Sequence, residues 1–200
     1  MPSHQTIAAP LRYEIEKIKG SRFIADLEPA ASEEEAMAAI ERILAEFSDA
    51  SHHCWAWRLD HDDAFRYSDD GEPTGSAGRP MLNQILGSGL SYVVIIVTRY
   101  FGGTKLGTGG LVRAYGAAAR AALDAAEVVT VEAKTTLEFR FPYEMQGPIQ
   151  GLLVARELEP ASTEFGVDVV MTVQLRVEDA PEFSAALHEL TAGRIEARTV

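Results

Sequence analysis

The sequence contains one cysteine and no long apolar run. Cys54 has no second thiol with which to form an internal disulfide or a metal clip, and this usage suits a reducing compartment. No window approaches the roughly 18 uninterrupted apolar residues of a membrane span, and the N-terminal segment lacks the charged and apolar regions of a signal peptide. We therefore expect a cytoplasmic protein with no membrane partner.

Acidic residues are missing from one stretch, Pro73 to Leu123, although the whole chain carries a formal net charge of -12. The basic residues of that stretch are Arg79, Arg99, Lys105, Arg113 and Arg120. The net charge disfavours a general nucleic-acid coat, which requires clustered basic residues. The segregation instead predicts a local positive field that favours one specific anion. Alternatively, these cations pair with the acids between Asp60 and Glu72.

Lysine is absent from the last 66 residues, which contain five arginines and eleven acids. This part is therefore a poor polyanion binder.

The pattern of the last 66 residues predicts a strand, a helix, two strands, a second helix and a last strand, which is the order of a ferredoxin-like domain. The predicted boundaries are a strand to Phe141, a helix over Pro142–Glu157, strands near Ala161–Phe165 and Asp168–Val177, and a helix over Pro181–Leu190. We expect an α+β protein with domains at 1–132 and 135–200.

In the first domain, Ser32 followed by Glu35 forms a capping box, and apolar residues then recur at helical spacing to Phe47. The run SYVVIIVT predicts a strand that is buried on both faces. The polar segment between Leu59 and Met81 predicts one long irregular loop. Other predicted elements are strands at Tyr13–Ile18, Arg22–Leu27, His52–Leu59 and Val128–Val131, and helices at Met81–Gly87 and Leu111–Ala126.

Five glycines occupy nine positions between Gly102 and Gly110, directly after the buried strand. Loops need so many glycines where the backbone turns sharply or lets a ligand approach closely. Free N–H groups at a helix start, together with the helix dipole, suit a phosphate or carboxylate. The order of residues matches neither a Walker loop nor GxGxxG. The candidate anion-binding set is Arg79, Arg99, Lys105, Gly107, Thr108, Gly109, Gly110 and Arg113. Alternatively, these glycines serve only to let the strand and the following helix pack closely together.

A second loop, SDDGEPTGSAGRP, places three carboxylates within four residues: Asp69, Asp70 and Glu72. Such a group can bind Mg²⁺ together with waters and a phosphate, or serve in acid–base catalysis. Turn formation and structural ion pairs are the alternatives. The neighbours His52 and His53 point to opposite faces of a strand, so they cannot chelate one metal together.

The segments SHHCWAWRL, DDGEPTGSAGRPML and VTRYFGGTKLGTGGLVRAYG resemble the signature of the IMPACT/YigZ family, and KGSRFIA resembles its opening segment. The resemblance covers about residues 12 to 130. It implies a first domain with the fold of the second domain of ribosomal small-subunit protein five, followed by a ferredoxin-like module. It also implies a role in translational control, and it transfers neither a catalytic set nor a cofactor.

Three functions follow as hypotheses. The first is a noncatalytic module that binds the ribosome, RNA or a translation factor through the Gly-rich basic loop. The second is an Mg²⁺-dependent nucleotide-binding phosphotransferase or hydrolase that uses the Gly-rich and acidic loops together. The third is protein–protein docking through an apolar surface that includes Tyr100 and Phe101. The sequence does not indicate the oligomeric state.

Overall fold

The computed structural model describes residues 3–59 and 64–200. The chain divides into two compact units. The first unit is His4–Val131, and the second unit is Glu132–Val200 with Ser3. Within the described ranges no helix is long and apolar enough to cross a membrane.

The first unit contains strands and helices in alternation. Its strands are β1 (His4–Ile7), β2 (Leu11–Glu14), β3 (Arg22–Pro29), β4 (His52–Arg58), β5 (Phe65–Ser68), β6 (Val93–Tyr100) and β7 (Val128–Val131). Its helices are α1 (Glu33–Glu46), α2 (Gly78–Ser88) and α3 (Thr108–Ala125). The main sheet has the order β2-β3-β6-β4-β5, and β1 pairs separately with β7. All of these pairings are antiparallel.

The central strand β6 is buried on both faces, as the β-branched run predicts. Val93, Ile95 and Val97 pack into the core that α2 and α3 cover. Val94 and Ile96 pack on the opposite face, with residues of α1. Successive strand residues point to opposite faces, so one short segment supplies two cores. Helix layers therefore cover both faces of this sheet.

Helix α1 begins as its capping box predicts. The Ser32 hydroxyl accepts the Glu35 N–H at 3.3 Å, and the Glu35 carboxylate accepts the Ala31 N–H at 2.8 Å. Three glutamates in the first turn also suit the positive end of the helix dipole. Local chemistry thus determines where this helix starts.

Several predicted boundaries in the first unit are wrong. Strand β1 was not predicted, β2 covers Leu11–Glu14 rather than Tyr13–Ile18, and α2 begins at Gly78 rather than Met81. The segment between Leu59 and Met81 is not wholly irregular, because Phe65–Ser68 pairs with β4 as the edge strand β5. Helix α3 starts at Thr108 rather than Leu111, since Gly107, at φ 72°, ends the loop and the glycines after it continue as helix. The acids Asp60, Asp62 and Asp63 lie outside the described residues.

The second unit has the predicted ferredoxin-like arrangement. Its strands are β8 (Lys134–Phe141), β9 (Pro160–Phe165), β10 (Val169–Arg176) and β11 (Arg198–Thr199), and its helices are α4 (Gln146–Ala155) and α5 (Ala180–Leu190). The strand order is β11-β8-β10-β9, with antiparallel pairs. The α+β class is confirmed. The predicted helix over Pro142–Glu157 is shorter, because a separate 3₁₀ turn covers Tyr143–Met145.

Candidate functional site

The Gly-rich loop and the acidic loop meet in one cleft of the first unit. We call this the α3 cleft. It has a volume of about 380 Å³ and is lined by His52, Glu72, Pro73, Arg99, Phe101, Lys105, Leu106, Gly107, Thr108 and Leu111. Strand pairing explains the meeting, because His52 of β4 lies directly opposite Arg99 of β6. Their side chains share the sheet face that α3 covers.

The first turn of α3 faces this cleft. The first intrahelical bond runs from Leu111 N–H to Gly107 O at 2.9 Å, so the N–H groups of residues 108–110 precede the helical ladder. Gly107 has no side chain with which to cap the helix, and no described side chain accepts from these N–H groups. Thr108 and Gly109 are exposed. The protein's own described side chains therefore leave these donors available to a ligand.

The predicted cations occupy different positions around α3. Lys105 lines the cleft and is exposed. Arg113 lies one turn into α3, and its Nη1 lies 3.8 Å from the point where a Cβ on Gly109 would stand. Arg79 is exposed on α2 and does not line the cleft. Among the described residues, neither Lys105 nor Arg113 forms an ion pair.

Arg99 lies at the cleft wall, but it is a buried, paired cation. Its side chain is 6% exposed and its Nη1 contacts Glu72 Oε1. Its Nη2 donates to Ser21 Oγ at 3.3 Å, and its guanidinium stacks over Phe23 and Phe101 at 5.5 and 5.6 Å. The alternative of pairing with the acidic loop therefore holds for Arg99. Its Nε–H is buried with no acceptor in the described structure.

Glu72 belongs to a buried polar network at the base of the cleft. Besides Arg99, its Oε1 accepts the Tyr115 hydroxyl at 2.8 Å. Burial raises the pKa of Tyr115, and the nearby Cys54 and Glu72 act in the same direction. The Tyr115 phenol is thus a fixed hydrogen-bond donor to Glu72.

The carboxylate of Asp69 organises backbone. Its Oδ1 accepts the N–H groups of Ala77 and Gly78, both at 2.9 Å, at the start of α2. Its Oδ2 accepts the Gly75 N–H at 2.8 Å. Asp69 therefore supplies the cap that the N-cap residue Ala77 cannot provide.

Asp70, the next residue of the acidic loop, forms hydrogen bonds with both histidines of β4. Its Oδ2 accepts the His53 N–H at 2.6 Å, and its carbonyl accepts from His52 Nδ1 at 2.7 Å. The described residues contain no group of three or more His, Cys, Asp or Glu side chains arranged to hold a metal ion. The magnesium site at Asp69, Asp70 and Glu72 stays a prediction, and the bonds found here give these carboxylates structural roles.

The two histidines point to opposite sides of the sheet, as predicted. His52 faces the α3 cleft, whereas His53 Nε2 lies 3.0 Å from the Phe47 carbonyl at the end of α1.

Cys54 is buried and its Sγ donates to the Asp69 carbonyl at 3.0 Å. Burial raises the pKa of this thiol to about 12, so it is an inert core residue.

Sequence reasoning missed Ser21 and Tyr115. Ser21 is fully buried, and its Oγ accepts from Arg99 Nη2 and from the Gly102 N–H. A serine within a predicted turn carries no signal of such burial. Tyr115 offered a signal, because it is a polar ring within the alanine-rich apolar stripe of α3.

The fold and the α3 cleft together define a two-domain α+β protein whose first domain contains an uncapped helix N-terminus in a cleft. The Impact N-terminal domain matches residues 19–123, and a domain of unknown function (DUF1949) matches residues 139–194. The chain belongs to the IMPACT family. Membership supports a regulatory or translation-associated role in general terms.

Relatives match along nearly the whole chain. The IMPACT family member YigZ of Escherichia coli is 38% identical over 94% of each chain. The IMPACT family member in pol 5'region of Thermus thermophilus is 43% identical over 89% of this chain and 97% of its own. A crystal structure of a hypothetical protein superposes with a TM-score of 0.71 and 36% identity, covering 100% of this chain and 98% of that one.

Proposed function

We propose that this protein is a noncatalytic, translation-associated regulator that binds an anionic group of its partner in the α3 cleft. The partner is an RNA, which presents a phosphate, or a translation factor, which presents a carboxylate. The open first turn of α3 is the observation that carries the proposal.

The chemistry of the cleft suits one compact anion. Three consecutive N–H groups, at residues 108–110, combine with the positive end of the α3 dipole. Lys105 contributes an exposed charge at the cleft wall, and it forms no ion pair with any described residue. Arg99 and Glu72 neutralise each other, so the cleft gains its charge from Lys105 and the helix terminus rather than from Arg99.

Net charge supports a selective site. A chain with a formal net charge of -12 repels extended polyanions except where a local positive field prevails. Lys105 in the cleft and Arg113 beside it supply positive charge next to the first turn of α3. A single RNA phosphate suits this geometry better than a long backbone track.

Replacing Lys105 and Arg113 by alanine tests the proposal. We expect weaker binding of a single-stranded RNA oligonucleotide in fluorescence anisotropy, and a salt slope flatter by about 0.7 for each lost phosphate contact. Arg120→Ala is the matched control, because Arg120 lies on the same helix but pairs with Asp124. Unchanged RNA binding removes the role assigned to these two cations. Binding of an acidic peptide but not RNA instead assigns the cleft to a protein partner.

The shared cleft also supports the second candidate, an Mg²⁺-dependent nucleotide-binding phosphotransferase or hydrolase. Glu72 and Pro73 of the acidic loop line it together with Lys105 and Thr108. Calorimetry with ATP, with and without Mg²⁺, separates the candidates. Nucleotide binding that requires Mg²⁺ and is lost in Asp70→Asn favours the enzyme. Metal-independent binding favours the noncatalytic module.

A further inference from the structure

His52 presents one ring nitrogen to the α3 cleft in a fixed orientation. Its Nδ1 lies 2.7 Å from the Asp70 carbonyl oxygen. A carbonyl oxygen only accepts, so Nδ1 carries the hydrogen. In the neutral imidazole, Nε2 then carries a lone pair. No described residue forms a hydrogen bond with Nε2, and the nearest charged oxygen is Glu72 Oε1 at 4.0 Å.

The turn that orients this ring adopts an unfavourable backbone conformation. Asp70 has φ 40°, a left-handed conformation that a residue with a Cβ rarely adopts, and Gly71 follows at φ 80°. A Cβ on Gly71 would stand 3.5 Å from the His52 ring. This turn directs the Asp70 carbonyl towards His52 and thereby fixes the orientation of the ring.

We propose that His52 is a specificity-determining residue whose Nε2 accepts a hydrogen bond from a ligand hydroxyl. This inference rests on the proposed anion site, because the same ligand places its phosphate at residues 108–110. The cleft volume of about 380 Å³ confines both contacts to one small ligand group. A phosphate beside a hydroxyl is the chemistry of ribose 3'-phosphate, and the 2'-hydroxyl distinguishes RNA from DNA.

The neighbours of His52 support the role of an acceptor. Glu72 Oε1 already accepts from Arg99 and Tyr115. Lys105, which also lines the cleft, only donates. A ligand without a donor that covered His52 would leave Nε2 buried and unpaired, which costs affinity. The cleft therefore favours ligands that carry a hydroxyl donor beside the phosphate over ligands that lack one.

Calorimetry on the full chain with adenosine 3'-monophosphate and its 2'-deoxy analogue tests this inference. We expect the ribose ligand to bind about fivefold more tightly, the effect of one hydrogen bond. In His52→Asn this ratio should fall to about one, since the asparagine amide can keep the donor to Asp70 but offers nothing at the Nε2 position.

Each other result has a distinct meaning. Equal affinities in the unmodified protein overturn the role of His52 and leave the proposed anion site standing, and this comparison needs no variant. A ratio that survives in a folded His52→Asn protein assigns the hydroxyl to another group and also overturns the inference. If both ligands and inorganic phosphate fail to bind, the proposed anion site itself is wrong.

Discussion

The hydroxyl of Tyr115 donates at 2.8 Å to Glu72 Oε1, the same oxygen that the Arg99 guanidinium contacts. All three side chains are buried. One carboxylate oxygen therefore joins α3, the acidic loop and the central strand β6. This shared oxygen ties the acidic loop to β6 and α3, the two elements that flank the Gly-rich loop.

Removal of this carboxylate should destabilise the protein strongly. Glu72→Ala leaves the Arg99 charge buried without its partner, and we expect a loss of about 3–5 kcal/mol in the free energy of unfolding. Tyr115→Phe, the matched control, removes one hydrogen bond and should cost about 1 kcal/mol. Urea unfolding measures both. Similar losses in the two variants would show that the ion pair contributes little beyond the hydrogen bond.

Asp69 should stabilise the start of α2. Asp69→Ala removes the acceptor for the Ala77, Gly78 and Gly75 N–H groups, so we expect a loss of about 1–2 kcal/mol, comparable to losing a helix cap. Thermal unfolding checks this, with Glu41→Ala on the exposed face of α1 as a near-neutral control. If Asp69→Ala is equally neutral, the capping role is wrong.

Gly102 is required by a close backbone approach. A Cβ there would stand 1.9 Å from the Gly20 carbonyl carbon, inside the van der Waals contact distance. Gly102→Ala should therefore displace the Lys19–Gly20 turn and destabilise the first unit by more than 1 kcal/mol, on the order of other backbone clashes. Gly87→Ala is the control, because no atom lies within 4 Å of its added Cβ. An unaltered Gly102→Ala melting temperature contradicts the close approach.

Cys54 should resist alkylation in the folded protein. Burial raises its pKa to about 12, so at pH about 8 its thiolate fraction is roughly a thousandfold below that of a free thiol near 8.5. Iodoacetamide labelling followed by mass spectrometry measures the rate before and after unfolding in urea. Rapid labelling of the native chain would contradict the burial of this thiol.

The raised pKa of Cys54 also sets the direction of a pH effect on stability. The unfolded thiol ionises near about 8.5, whereas the folded thiol keeps its proton to about 12. Its contribution is therefore complete below the unfolded value and is lost as pH rises towards the folded one. We expect Cys54→Ala to flatten the alkaline decline in stability.

The sequence patterns correctly predicted the structural features that depend on residues close together in the chain. The capping box at Ser32 and Glu35, the doubly buried strand β6 and the element order of the second unit are all found in the structure. Each depends on propensity, capping or period within a short segment. Among the wrong boundaries, those at β5 and at the starts of α2 and α3 lie where glycine and polar residues weaken that pattern.

The contacts of the candidate site could not be predicted from single segments, because they join residues that are far apart in the sequence. Arg99 was predicted as an anion-binding cation, but the pairing of β6 with β4 and the path of the acidic loop bring Glu72 against it. The meeting of the two loops follows from the same pairing. Ser21 joins the site because its turn packs on Gly102, which a sequence read in one dimension does not reveal.

The most direct test of the anion site is a titration of the ¹⁵N-labelled protein with inorganic phosphate, followed by NMR of the backbone amides. We predict that the largest shifts occur at Thr108, Gly109 and Gly110, and that they saturate together. Arg120→Ala should leave this response intact, whereas Lys105→Ala should weaken it. Saturable phosphate binding that leaves these three amides unshifted would contradict the account.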